Sequence, residues 1–220
     1  MSDWIIKQKW SDLVFLSYEV DKNYLQSLLP LELKPDLYED KAYLSIVPFT
    51  MSDIRFKFTP NLPFSKLYEL NLRTYVQYKK TKGIYFFTLD SDHRLGNFIA
   101  REFFNLPYRY ARVSITKPTN ENVTITSPNS IDLSINIKDQ NVNCDFSRWL
   151  TERYCLFTKN KKDQILRGDV SHESWSLKEA EIASFNDNFS KQFGFSSENS
   201  SFHCVFSEGL DVRFQPFKKV

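Results

Sequence analysis

The stretch Tyr68-Glu69-Leu70-Asn71-Leu72-Arg73-Thr74-Tyr75-Val76 carries a carboxylate, an amide, a guanidinium and a phenol at every second position. Side chains of an extended strand alternate between its two faces. Glu69, Asn71, Arg73 and Tyr75 therefore share one face, and Tyr68, Leu70, Leu72 and Val76 the other. Alternation alone also fits a half-buried strand with its polar face in water. The neighbouring run Ile84-Tyr85-Phe86-Phe87-Thr88-Leu89 argues otherwise. It is apolar on both faces, so the sheet is expected to be covered on both sides and the polar residues to face an enclosed space. Buried charges need partners. Glu69 and Arg73 are too far apart along one strand for an ideal direct contact, and with Asn71 between them they could surround a ligand. Tyr85, on the paired strand, either adds a phenol to that space or packs.

A second segment, Arg101-Glu102-Phe103-Phe104-Asn105-Leu106-Pro107-Tyr108-Arg109-Tyr110-Ala111, lies where a helix gives way to a strand. It reads either as a helix stop followed by an aromatic strand or as a junction that carries function. His93, His172 and His203 are widely separated and lack metal-ligand spacing, so no metal site is expected. No Gly-x-Ser-x-Gly, phosphate loop or dinucleotide fingerprint is present. Lys79 and Lys80 adjoin a turn and are expected to be solvated, whereas a catalytic lysine needs burial to lower its pKa.

The elements that position these residues read mainly as strands. Leu13 to Val20 is one, and Asp21 then caps a short helix that Pro30 stops. Leu33 to Leu37 and Ala42 to Phe49 look like two strands around Glu39-Asp40-Lys41. Leu67 to Lys79 and Ile84 to Asp90 should form a hairpin whose loop uses positive φ at Gly83. A helix over about Leu95 to Phe104 has Asp92 as its N-cap and an apolar repeat at Leu95, Phe98, Ile99 and Phe103. Strands follow at Tyr110 to Thr116, Asn122 to Thr126 and Ile131 to Ile137. Beyond them come a short helix at Phe146 to Arg153 and strands near Tyr154 to Thr158 and Gln164 to Leu166. Asn186 to Ser200 reads as a loop. With no repeat and no long linker, residues 1–220 are expected to be one domain.

Composition agrees with an α+β, mainly β chain: 20 Phe, 11 Tyr and only 5 Gly in 220 residues. The 29 basic and 27 acidic residues are interspersed, leaving no footprint for nucleic acid. No apolar run is long enough to span a membrane, and residues 1–10 do not read as a secretory signal. The expectation is a cytoplasmic protein whose three cysteines, Cys144, Cys155 and Cys204, are buried structural thiols.

Several segments together resemble the YqjF-like proteins of unknown function. They are Leu29-Pro30 through Asp36, Val47-Pro48-Phe49 with Met51, Glu69 to Tyr75, Gly83 to Leu89, Leu106-Pro107-Tyr108 and Ser207 to Arg213. That family is similar in fold to acetoacetate decarboxylase, which implies an antiparallel β-barrel with a few short helices and an internal pocket. Acetoacetate decarboxylase has Arg-Glu, two residues, Gly, one residue, then Pro-Lys-Lys, with the first lysine forming the Schiff base. Arg101, Glu102 and Pro107 match it here. Asn105 replaces the glycine, Tyr108 the Schiff-base lysine and Arg109 the second lysine. A phenol forms no imine, so the resemblance implies the pocket without that decarboxylation mechanism. His172-Glu173-Ser174-Trp175 also resembles a family pattern, and His172 and Trp175 either line the barrel mouth or pack.

The resulting expectation is a polar-lined pocket for a small oxygenated or anionic molecule. Arg73 and Arg101 would hold an anionic or carbonyl group beside Asn71 and Tyr85, while Glu69 and Tyr108 would orient it or transfer protons, with no organic cofactor. Such an enzyme would do lyase- or isomerase-like chemistry. The alternatives are a binding protein without turnover, and a homo-oligomer whose polar strand face is an interface.

Overall fold

The computed structural model describes residues 4–57, 66–198 and 200–220. Its first strands are β1 (Ile6–Val20), β2 (Lys34–Pro35), β3 (Ala42–Phe56), β4 (Lys66–Tyr78), β5 (Thr81–Ser91), β6 (Tyr108–Tyr110) and β7 (Ser114–Thr119). These are followed by β8 (Asn122–Ser127), β9 (Ile131–Asn141), β10 (Cys155–Lys159), β11 (Ile165–Ser171), β12 (Lys178–Asp187), β13 (Phe202–Phe214) and β14 (Lys218–Lys219). The helices are α1 (Lys22–Leu28), α2 (Arg94–Phe104) and α3 (Asp145–Thr151). Met1 to Asp3, within the N-terminal stretch read above, and Asn199, in the expected loop, lie outside the described residues. No helix among the described residues is long and apolar enough to cross a membrane.

The strands join one sheet in the order β14-β11-β10-β5-β4-β3-β1-β13-β12-β9-β8-β7. β11 also pairs β13, through Val170↔Phe214 and Ser171↔Arg213, so the ladder runs from β1 through β3, β4, β5, β10, β11 and β13 back to β1. One face of this circuit carries Leu16, Leu44, Ile46, Leu70, Leu72 and Val76, which pack with Val123, Ile125, Leu133 and Ile135 of β8 and β9. The opposite face carries Leu13, Phe15, Val47, Phe49, Met51 and Leu67. The sheet is covered on both sides, as the doubly apolar β5 requires.

Several boundaries differ from the sequence reading for identifiable reasons. β2 does not pair β3 around Glu39 to Lys41; it is two residues long and pairs β4 through Lys34↔Gln77 and Pro35↔Val76. The β4–β5 turn is tighter than expected and takes its positive φ, 53°, at Lys79. Gly83 lies inside β5, where a Cβ would come within 2.8 Å of the Cys155 carbonyl, so its role is close approach to β10. The N-cap of α2 is His93, whose Nδ1 accepts from Gly96 N at 2.9 Å, in place of Asp92. Cys144 is exposed, not buried. β12 and β13 were not anticipated: β12 alternates weakly between charged and small residues and buries only Ala180 and Asp187.

Candidate functional site

β4 supplies the polar face. Glu69, Asn71 and Arg73 are all buried, at 2%, 3% and 7% exposure, within a single chain. That burial overturns the reading in which this face serves as an interface between copies. The three line a cavity of about 140 Å3, comparable to an engineered cavity that accepts benzene. The remaining walls are largely apolar, with Trp10 and Phe15 from β1, Phe49 and Met51 from β3, and Leu89 and Phe86 from β5. The inner face of α2, at Asn97, Ile99, Ala100 and Phe104, also borders it. The expectation of a polar-lined pocket is thus corrected to an apolar cavity with a polar stripe. Of its expected apolar repeat, α2 turns Leu95, Phe98 and Phe103 to solvent and Ile99 toward the cavity.

Tyr108 enters the same cavity from β6. Its phenol donates to Glu69 Oε2 at 2.5 Å, and Asn71 Nδ2 donates to Glu69 Oε1 at 3.3 Å. Burial raises the Glu69 carboxyl from its ordinary 4.5 to about 7, although the hydrogen bonds from Tyr108 and Asn71 pull it down. Burial, followed by the neighbouring Glu69, holds the Tyr108 phenol well above its usual value. The short β6 is fixed by its parallel pairing to β5 and by Arg109, whose Nε and Nη2 reach Asp90 Oδ1 and Oδ2 at 2.8 and 3.0 Å. Asn105 caps α2 in the left-handed region, with φ 52°, at the turn that leads into Pro107.

Arg73 has a different setting. Its Nη2 donates to the Leu150 carbonyl at 3.2 Å, and its Cζ lies 5.3 Å from the Phe15 ring and 5.9 Å from that of Tyr75. No carboxylate among the described residues bridges to it, and its buried Nε has no hydrogen-bond partner there. Ser45 and Tyr75 share a 2.6 Å hydrogen bond, continued from Ser45 to Ser17 at 2.6 Å, which closes the end of the strand face beyond Arg73.

The structure brings Glu69, Asn71, Arg73 and Tyr108 together and leaves out two expected members. Counted by twos from Leu89, Tyr85 would reach the cavity. A bulge between Leu72↔Thr88 and Arg73↔Phe86 inserts Phe87 and reverses the alternation below it, so Ile84 and Phe86 point inward instead. Tyr85 packs edge-on to Phe87 in the other core. Arg101 is exposed on α2, where its Nη1 donates to the Tyr108 carbonyl at 3.4 Å and supports the backbone of β6.

His172 and Trp175 both line the cavity. Trp175 Nε1 donates to the Thr151 carbonyl at 3.0 Å, and the His172 ring sits 5.0 Å from the indole. Arg153, His93 and Asn97 also line it and were missed. Nothing in Leu150-Thr151-Glu152-Arg153 marks Arg153, whose burial follows from Asp36 more than a hundred residues away. No lysine lines the cavity among the described residues; Lys79 and Lys80 are exposed. Nor do those residues include a group of three or more His, Cys, Asp and Glu able to hold a metal ion.

This architecture is the acetoacetate-decarboxylase-like fold. The chain superposes over its whole length on acetoacetate decarboxylase from Legionella pneumophila, with a TM-score of 0.71, 12% identity and 90% of that chain covered. The enduracididine biosynthesis enzyme MppR, solved in complex with pyruvate, superposes with a TM-score of 0.73 at 11% identity, covering all of this chain and 91% of that one. At such identities the likeness is one of fold. The sequence itself is 34% identical to the uncharacterized protein YqjF of Bacillus subtilis (strain 168), over 98% of this chain and 93% of that one. The model of the DUF2071 family of uncharacterized conserved proteins matches residues 7–211, and the chain belongs to that family.

Proposed function

We propose that the strand circuit is a closed barrel whose cavity binds a small oxygenated anion. Arg73 holds the anionic or carbonyl oxygen, and the Glu69–Tyr108 pair transfers a proton. The observation that carries this reading is the buried guanidinium of Arg73, which faces an apolar cavity without a carboxylate partner among the described residues. Leaving a buried charge uncompensated is unfavourable, and a bound anion would supply the missing partner in bidentate form. Glu69 supports turnover over simple binding. A carboxyl poised near 7 is populated as both acid and base at neutral pH, the condition for efficient proton transfer. The chemistry we assign is removal or delivery of a proton next to a carbonyl, with Arg73 stabilising charge on the oxygen. With Tyr108 at the position where acetoacetate decarboxylase has its reactive lysine, imine chemistry does not belong to this reading.

The cavity volume limits the ligand to a handful of heavy atoms, and pyruvate, which the MppR neighbour binds, is a suitable first probe. A thermal-shift series with pyruvate, other small oxo and hydroxy acids and neutral lactones tests the assignment, because a ligand that binds only the native state raises the melting temperature by mass action. Stabilisation of the wild type but not of Arg73→Met is the expected result. Equal stabilisation of both proteins would remove Arg73 from the site. No shift with any acid would remove the anion.

A further inference from the structure

The polar atoms left unmatched around the cavity say more about the ligand than its charge does. With Glu69 ionised, Asn71 Nδ2 donates to Glu69 Oε1 at 3.3 Å, and Asn71 Oδ1 is then buried and without a hydrogen-bond partner among the described residues. Arg73 Nε, two residues along the same strand face, is buried and unmatched in the opposite sense, as a donor lacking an acceptor. Both residues are more than nine-tenths buried and both line the cavity. Positions two apart on one face are about 6–7 Å apart at their Cα atoms, so one small molecule can meet both side chains.

We infer that the ligand is a small hydroxy acid, presenting a carboxylate to Arg73 and an un-ionised hydroxyl proton to Asn71 Oδ1. This rests on the assignment of Arg73 as the anion-holding residue and adds the second group. An oxo acid would place a carbonyl oxygen against the amide oxygen and leave both unmatched. A plain carboxylic acid would place a methylene there. An amino acid would bring an ammonium beside the Arg73 guanidinium. A hydroxyl fits both requirements, since it donates and carries no charge. A site built to match a hydroxyl discriminates against analogues that lack it, because its own buried atom is then stranded.

Isothermal titration of the full chain with butyrate, 2-oxobutyrate and 2-, 3- and 4-hydroxybutyrate tests the inference on acids of one length. One of the three hydroxy acids should bind at least roughly tenfold more tightly than both butyrate and 2-oxobutyrate. In Asn71→Leu, that acid should fall to within about threefold of butyrate. The wild-type series is decisive even if this variant does not fold. Butyrate or 2-oxobutyrate binding as tightly as every hydroxy acid, with Arg73→Met abolishing them all, would overturn the hydroxyl requirement and leave the role of Arg73 standing. Failure of all five acids to bind would overturn both.

Discussion

Two buried arginines flank the ring of Tyr75 and differ in what they face. Arg153 Cζ lies 5.1 Å from that ring and Arg73 Cζ 5.9 Å. Arg153 has its charge met by the chain itself: Nη1 reaches Asp36 Oδ2 at 2.7 Å and Nε the Trp149 carbonyl at 2.7 Å, although it too borders the cavity and its buried Nη2 has no hydrogen-bond partner among the described residues. Arg73 has one carbonyl and two aromatic faces. The same side chain in similar burial is therefore paired with a carboxylate in one place and not in the other. Glu69 could have been that carboxylate for Arg73. It stands four residues away on the same face, and its oxygens accept from Tyr108 and Asn71 instead.

The sharpest way to test this contrast is to remove the partner that Arg153 has. Asp36→Asn leaves Arg153 as an uncompensated buried charge and should lower the urea-unfolding free energy by about 3–5 kcal/mol. A loss under about 1 kcal/mol would put Arg153 in the same category as Arg73. Glu69 comes next. An unfolded carboxyl releases its proton near 4.5 and the folded Glu69 near 7, so between those values the native state holds the extra proton. Its contribution is fully present below pH 4.5, declines as pH rises towards 7 and is level above it, a change on the order of 3 kcal/mol. Unfolding followed across that range should show this decline in the wild type and its absence in Glu69→Gln. A Glu69 that titrates near 4 would instead make it an ionised neighbour for Arg73 and erase the contrast.

Tyr108→Phe removes a donor that lowers the Glu69 pKa, so the Glu69 midpoint, followed by carboxyl NMR, should move above 7. Stability at neutral pH should fall by about 1–2 kcal/mol. The smallest effect belongs to Arg101, outside the cavity: Arg101→Ala should change stability by no more than about 0.5 kcal/mol and leave ligand affinity unaltered. A substantial loss of affinity would place Arg101 at the ligand after all.

What was legible in advance follows from how local the determining contacts are. The inward face of β4 could be read because strict alternation meets a doubly apolar partner, and both signals lie within about twenty residues. Tyr108 was singled out by a motif comparison and not by any local pattern, and its contact with Glu69 spans thirty-nine residues. Tyr85 was misplaced by one inserted residue, Phe87, which has no signature in a run of aromatics. Arg153 was missed because its partner Asp36 is distant in sequence, and no spacing rule links them. β12 escaped notice because Lys178-Glu179-Ala180-Glu181 offers few apolar side chains; its position is set by pairing to β9 and β13.

The unfolding free energy of Arg73→Met, with and without pyruvate, tests the account at its centre. An arginine kept for a ligand rather than for the fold predicts a variant at least as stable as the wild type in the absence of the acid, with only the wild type gaining stability when the acid is added. A loss of about 3 kcal/mol or more without ligand, in the range of a broken buried ion pair, and no differential response to pyruvate would contradict it and make Arg73 a second structural arginine.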